Sequence, residues 1–217
     1  MRILASSDLH GFPDYTDAVV AWALEHSPDA VVLAGDLLRP LPVATSLEAS
    51  FHADARRMAA AFEPVTCSVY YIMGNDDLVD WDPPQENIES IHGRRVEQGG
   101  WAFVGYEYTL PLLGLKYERS EKRIAADLKK LAPLIDDRTV LVTHAPAKGV
   151  HEFESPWPMG IVCLADLIRE RSPRIHIHGH IHRTFGRTEN RFNVACRDRA
   201  RAMLIDLDDL THEVLEG

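Results

Sequence analysis

Short apolar runs recur along this chain, and most of them end in a turn that carries histidine, aspartate or asparagine. The runs lie at residues 2–6, 30–34, 68–73, 102–105, 139–143, 174–178, 192–195 and 202–206. Such lengths suit buried β-strands and fall far short of a membrane span. Helical spacing fills the gaps at 14–26, 47–62 and 120–134, and again near 161–171. The first half therefore reads βαβαβ, while the closer spacing of the later strands predicts an α/β fold with mixed rather than uniformly parallel sheets. A chain of 217 residues with 46% apolar content predicts one domain over 1–217. Segments 80–89 and 106–120 interrupt the pattern and read as surface excursions, candidates for substrate-facing loops.

The charge balance narrows the function. Lys and Arg number 23 against 33 Asp and Glu, a net charge of −10. Sequence-independent binding of long nucleic acid needs basic surface to displace phosphate counterions, so this balance argues against it. Three well-separated cysteines, Cys67, Cys163 and Cys196, form no CxxC pair, which points away from a disulfide framework or a zinc-thiolate site and fits a reducing cytoplasm. The first residues contain too short an apolar run for a signal peptide, and no later run predicts a membrane helix.

Chemistry is concentrated at the strand ends, where α/β folds form their sites. Asp8 and His10 follow the first run two residues apart, so in extended chain both point the same way and can grip one ion. The plainer alternative for Asp8 is a helix N-cap. Asp36 follows Gly35, where a carboxylate can bridge two cations or simply sit in a turn. Asn75 offers an amide oxygen after Gly74, or tolerates a left-handed turn. His144 closes an apolar run, and a hydrogen-bonded core histidine is its alternative. His180 and His182 repeat the two-residue spacing; His176 and His178 fall within the preceding strand and read as structural or supporting groups. Together Asp8, His10, Asp36, Asn75, His144, His180 and His182 form a nitrogen and oxygen donor set suited to manganese, iron, zinc or nickel, unlike the all-oxygen cages of magnesium or calcium.

The order Asp-x-His, Gly-Asp, Gly-Asn-x-Asp, a strand-end histidine and Gly-His-x-His, running from Asp8 to His182, resembles the calcineurin-like metallophosphoesterase superfamily. That resemblance implies a four-layer α/β/β/α sandwich with a dimetal site at the strand-end loops. It implies Asp8, His10, Asp36 and His182 around one divalent transition-metal ion and Asp36, Asn75, His144 and His180 around a second, with hydroxide between them attacking a phosphoester. One position departs from the common pattern, because Asp76 stands where the superfamily usually has a histidine that assists the leaving group. Asp76 is thus the candidate catalytic residue, and its substitution predicts a preference for good leaving groups. The expected activity is a phosphodiesterase on a small or nucleotide-like ester. The alternatives are a phosphomonoesterase, a nuclease, or a non-catalytic scaffold that keeps the fold. Arg39 and Arg197 read as surface arginines, and His151 as a further substrate or proton-transfer candidate.

Overall fold

The computed structural model describes residues 1–41, 46–153 and 158–217. The chain runs β1 (Arg2–Ser6), α1 (Pro13–His26), β2 (Ala30–Ala34), α2 (Leu47–Ala61), β3 (Ser68–Ile72), β4 (Ile88–Ser90), β5 (Arg95–Gln98) and β6 (Trp101–Tyr106). It continues with α3 (Glu121–Leu131), β7 (Thr139–Thr143), α4 (Val162–Arg171), β8 (Ile175–His178), β9 (Gly186–Thr188), β10 (Arg191–Asn193), β11 (Arg201–Asp206) and β12 (His212–Glu216). Short 3-10 turns follow α3 and β8.

Two six-stranded mixed sheets result. The first has the order β12-β11-β1-β2-β3-β4, and the second β5-β6-β7-β8-β10-β9. Each contains a run of four parallel strands: β1 to β4, with β4 at the edge, in the first, and β6, β7, β8 and β10 in the second. Antiparallel pairing joins β11 to β1 and β12 to β11 in the first sheet, and β5 to β6 and β9 to β10 in the second.

Strand alternation explains the layers. Ile3 and Ala5 of β1, with Val32 of β2 and Ile72 of β3, meet Phe103, Val140, Val142 and Ile177 of the second sheet in one buried cluster. The intervening residues Leu4, Val31, Leu33 and Tyr71 face the other way, onto Val19, Phe51, Met58 and Phe62 around α1 and α2. Val104 and Leu141 likewise pack on Ile124, Leu128, Leu164 and Ile168 of α3 and α4. Successive strand residues point to opposite faces, so a run apolar at every position is what a sheet covered on both sides requires. The four-layer α/β/β/α arrangement follows. Burying one such Leu or Ile is worth about 1.5–3 kcal/mol, which makes the sheet-to-sheet cluster the main force holding the strand ends side by side.

Two expectations change. Segment 80–89 is not a substrate-facing excursion: Trp81 is among the largest fully buried side chains, stacks near Phe62 and Tyr71, and donates its indole N–H to the Ala55 carbonyl at 3.1 Å. Ile88 of the same segment begins β4. Asp8 is not an N-cap either, since α1 starts at Pro13 with Phe12 in the cap position. No helix among the described residues is long and apolar enough to cross a membrane.

Candidate metal centre

The ends of β1, β2, β3, β7 and β8 open onto one place, and their loops are tied to each other by backbone hydrogen bonds. The Asp8 N–H donates to the Gly35 carbonyl at 2.9 Å and the His10 N–H to the Asp36 carbonyl at 2.8 Å. In the second sheet the Gly179 N–H donates to the His144 carbonyl at 3.1 Å. Asp8, His10, Asp36 and His180 all have left-handed backbone, with φ of 58°, 44°, 51° and 67°. Such conformations are uncommon outside glycine and are sustained only when surrounding contacts fix them.

All seven residues expected at the centre converge. Asp8, His10 and His182 place donor atoms within 4.8 Å of one another, as do Asp36, His144 and His180. His182 Nε2 lies 3.0 Å from Asp8 Oδ1, and His144 Nε2 lies 3.2 Å from Asp36 Oδ2. His10 Nε2 stands between the groups, 4.0 Å from Asp8 and 3.9 Å from Asp36. Asn75 is buried beside them, and Asp76, whose carboxylate is 47% exposed, sits at the mouth with Oδ2 3.9 Å from His10. The Asn75 amide donates to Asp76 Oδ1 at 2.7 Å, and the Asp76 N–H donates to Asp36 Oδ1 at 2.8 Å.

Glycine makes this convergence sterically possible at two crossings. A Cβ on Gly35 would meet the His144 ring at 2.6 Å, and one on Gly179 would collide with Ser7 and Asp8. Each contact joins one sheet to the other, so these positions need a residue without a side chain.

The residues present fit divalent cations. Asn75 Oδ1 and His144 Nε2 are buried without a hydrogen-bond partner, a costly state for polar atoms unless something else satisfies them. His144 Nδ1 donates to the Ala34 carbonyl at 2.8 Å, an acceptor only, and this fixes the ring with Nε2 turned into the cluster, 3.2 Å from Asp36 Oδ2. Burial works to raise the Asp36 carboxyl, yet His144, His10 and the Asp76 N–H hold it below the usual carboxylate range. Burial works to lower His144, and Asp36 and Asp8 overcome it, raising the imidazole to about 10. The cluster thus draws positive charge in between its carboxylates.

The family model for calcineurin-like phosphoesterases matches residues 1–184. The chain belongs to this family. Members of this family act on phosphoesters with the help of two metal ions. UPF0046 protein K07C11.7 of Caenorhabditis elegans is 29% identical over 104 residues, a match that takes in 48% of this chain and 35% of that protein. The match therefore spans about a third of that relative's length. Among solved structures, TT1561 of Thermus thermophilus superposes with a TM-score of 0.74 at 16% identity, covering 99% of this chain and 98% of that one. A dimetal phosphatase from Danio rerio gives a TM-score of 0.56 at 9% identity over 100% and 98% of the two chains. At these identities the likeness speaks for the fold alone.

Three features of this calcineurin-like phosphoesterase surround the cluster. Asp77 is fully buried and its carboxylate accepts N–H bonds from Leu37 at 2.9 Å, Leu38 at 2.8 Å and Gly74 at 2.8 Å, which clamps the second and third loops together. Burial and the Asp36 charge push its carboxyl up, and the Gly74 and Leu38 donors oppose them.

The second is a chain of imidazoles behind the centre. His178 Nδ1 faces the Gly179 carbonyl at 3.1 Å, so it donates, and Nε2 must accept. His151 Nδ1, 3.2 Å away, is then the donor, which leaves His151 Nε2 to accept from the Thr188 hydroxyl at 3.0 Å. Burial favours the neutral form of these rings. Burial lowers His178 to about 3 and lowers His151 and His176 too. His151 is therefore tied to the strand end rather than aimed at a substrate.

The third is a cavity of 260 Å³ beside the cluster, bounded by Asp36, Asn75, Asp76, His180 and His182 and closed on another side by Leu112, Met159 and Ile181. Leu112 belongs to segment 106–120, read from the sequence as a candidate substrate-facing loop, and it lines this cavity. Arg39 and Arg197 do not line this cavity; Arg39 lies over the Phe12 ring at 4.7 Å, and Arg197 pairs with Asp198.

Proposed function

We infer that this protein hydrolyses small phosphodiesters, with one divalent transition-metal ion held by Asp8, His10, Asp36 and His182 and a second by Asp36, Asn75, His144 and His180. The observation that carries the reading is the convergence of six carboxylate and imidazole donors in two adjoining groups, with Asp8, Asp36 and His144 buried, His10, His180 and His182 half-buried, and the buried Asn75 amide beside them. When bound, the ions supply Lewis acidity toward phosphoryl oxygens and acidify water enough for it to attack. Asp36 Oδ2 faces both groups, 3.2 Å from His144 and 3.9 Å from His10, while Oδ1 accepts the backbone N–H of Asp76, which orients the carboxylate. Imidazole, amide and carboxylate donors suit manganese, iron, zinc or nickel.

Asp76 bears on which ester is preferred. It occupies the mouth of the site, and burial and the Asp36 charge raise its carboxyl, while bound cations act in the opposite sense. A weak proton donor there favours esters whose leaving group needs no proton. The solved structures of similar fold include one described as an archaeal phosphodiesterase, with a TM-score of 0.55 at 14% identity, and the dimetal phosphatase, so fold leaves the choice to the loops. Residues 1–217 read as one catalytic unit, because β11 and β12, beyond the family match, extend the first sheet beside β1. Three free cysteines agree with a cytoplasmic setting.

The test is hydrolysis of bis-p-nitrophenyl phosphate and p-nitrophenyl phosphate by metal-stripped protein, with manganese, nickel, zinc or magnesium restored. Metal-dependent turnover, faster on the diester and reduced about 10³-fold or more in Asp36→Ala, is the expected result. A faster monoester makes the protein a phosphomonoesterase, and turnover that survives Asp36→Ala removes the dimetal reading.

A further inference from the structure

The cavity beside the cluster has two chemically distinct walls. One consists of the cluster itself with Asp76, and the other of Leu112, Met159 and Ile181. Among the described residues that line it, no lysine or arginine appears, and every polar side chain belongs to the cluster or is Asp76. A sugar or a nucleobase would bring hydroxyl and amide groups that find no partner on the apolar wall, and a buried polar group left unpaired weakens binding. A second phosphate would meet the Asp76 carboxylate.

The loop that delivers Leu112 is held in its exposed position. Leu112 is 58% and Leu113 72% exposed. The Glu118 carboxylate accepts backbone N–H bonds from Leu112 at 3.0 Å, Leu113 at 3.0 Å, Gly114 at 2.6 Å and Leu115 at 3.2 Å, which fixes the loop tip around one anion. At its base the Thr109 N–H donates to the Tyr117 carbonyl at 3.0 Å and the Arg119 N–H to the Thr109 carbonyl at 2.9 Å. Tyr117 is buried, and its hydroxyl and Lys116 both reach Asp80, at 2.5 and 2.8 Å. A loose loop would fold its leucines onto the nearest apolar surface. This one is braced against doing so, and one of its leucines forms a wall of the cavity.

We propose that the ester taken by this site carries an apolar organic group, aryl or alkyl, that lies against Leu112, Met159 and Ile181 while its phosphate faces the cation-binding cluster. The proposal rests on the phosphoester reading above and adds the class of substrate. Covering Leu112 and Met159 removes apolar surface from water at the place where the phosphate is already anchored, so the two halves of the ligand bind cooperatively with the two walls.

The experiment has a binding arm and a turnover arm. Phenylphosphonate and methylphosphonate carry the same charge and differ in apolar bulk; titrated calorimetrically into metal-loaded protein, the phenyl compound binds at least ten-fold more tightly, and Leu112→Ser brings the ratio to within three-fold of one. In turnover, p-nitrophenyl phenylphosphonate is compared with p-nitrophenyl phosphorylcholine, each rate divided by that of its hydroxide reaction. The shared leaving group isolates the second substituent. The phenyl compound leads by at least ten-fold in kcat/KM, and Leu112→Ser compresses that lead. If Leu112→Ser does not fold, Met159→Gln carries the same comparison. Equal affinity for the two phosphonates, or ratios that the variants leave unmoved, would overturn the proposal. Absence of metal-dependent turnover on every ester sinks the phosphoester reading instead, and the binding arm still decides whether the apolar wall takes the organic group.

Discussion

The two sheets are built alike and furnish the metal centre differently. Loops after β1, β2 and β3 bring both carboxylates, the Asn75 amide and His10, whereas the loops after β7 and β8 bring only imidazoles, His144, His180 and His182. Their supports differ in the same sense. In the first sheet the Asp77 carboxylate gathers three backbone N–H groups. In the second, neutral His178 and His151 pass hydrogen bonds from the Thr188 hydroxyl to the Gly179 carbonyl. A carboxyl group clamps the half that holds the carboxylate ligands, and imidazoles clamp the half that holds only imidazole ligands. Positive imidazoles behind His180 would repel the cations, so keeping that chain neutral leaves the field of Asp8 and Asp36 unopposed.

The comparison breaks most completely where the sheets touch. A side chain at Gly179 collides with Ser7 and Asp8 across the sheet boundary, so Gly179→Val pushes the imidazole half away from the carboxylate half. A misplacement of about 1 Å costs on the order of 10²-fold in rate, and at least that loss is expected here. Manganese titrated calorimetrically into the variant should bind more weakly to the same degree; unchanged affinity would show that the two halves do not depend on this close approach.

Removing the Asp77 clamp comes next in size. Asp77→Ala leaves the Leu37, Leu38 and Gly74 N–H groups buried without their acceptor. An abandoned buried donor costs roughly 1–3 kcal/mol, and with some relaxation the expected loss is about 3 kcal/mol in urea unfolding. A loss below about 1 kcal/mol would mean that the second and third loops hold each other without Asp77.

Acidification separates the sheets by charge. His178 falls from 6.5 to about 3 on folding and His176 falls well below 6.5, both through burial. Between those values the unfolded chain binds a proton that the folded one refuses, so stability is complete above pH 6.5 and declines as pH falls below it. At pH 5.5 His178 contributes a loss of about 1.4 kcal/mol, and His176 adds a loss of the same sign. Urea midpoints at pH 7.5 and 5.5 measure it. His176→Phe should make the decline shallower, and an identical decline in the variant removes His176 from the account.

How much of this was legible in the sequence follows from the range of the contacts involved. The central strands were readable because burial on both faces leaves an unbroken apolar run, as at Ala30–Ala34 and Thr139–Thr143. The strands β4, β5, β9 and β12 were not, because they are short or exposed edge pieces whose polar residues, such as Arg95–Gln98, face water. The seven candidate ligands were visible from local spacing alone, since each motif sits on one turn. What escaped were relations between distant residues: Gly179 against Asp8, Asp77 between two loops, and Leu112 beside His182. A spacing pattern carries no information about which loop lies opposite another.

The smallest effect sharpens the comparison at its neutral end. In His151→Phe the ring volume remains, but His178 Nε2 loses its donor and the Thr188 hydroxyl loses its acceptor. His178 is then free to turn, and the Gly179 carbonyl next to His180 loses its fixed partner. Supporting groups of this kind change metal affinity by about 10–100-fold, and the lower figure is expected because His144 and Asp36 still orient the site. His151→Asn keeps an N–H near the position of Nδ1 and should retain most of the affinity. Manganese affinity measured for both variants distinguishes the causes: a loss in Phe that Asn restores assigns the effect to the hydrogen bond, whereas equal losses assign it to packing and leave the second sheet without the neutral clamp that sets it apart from the first.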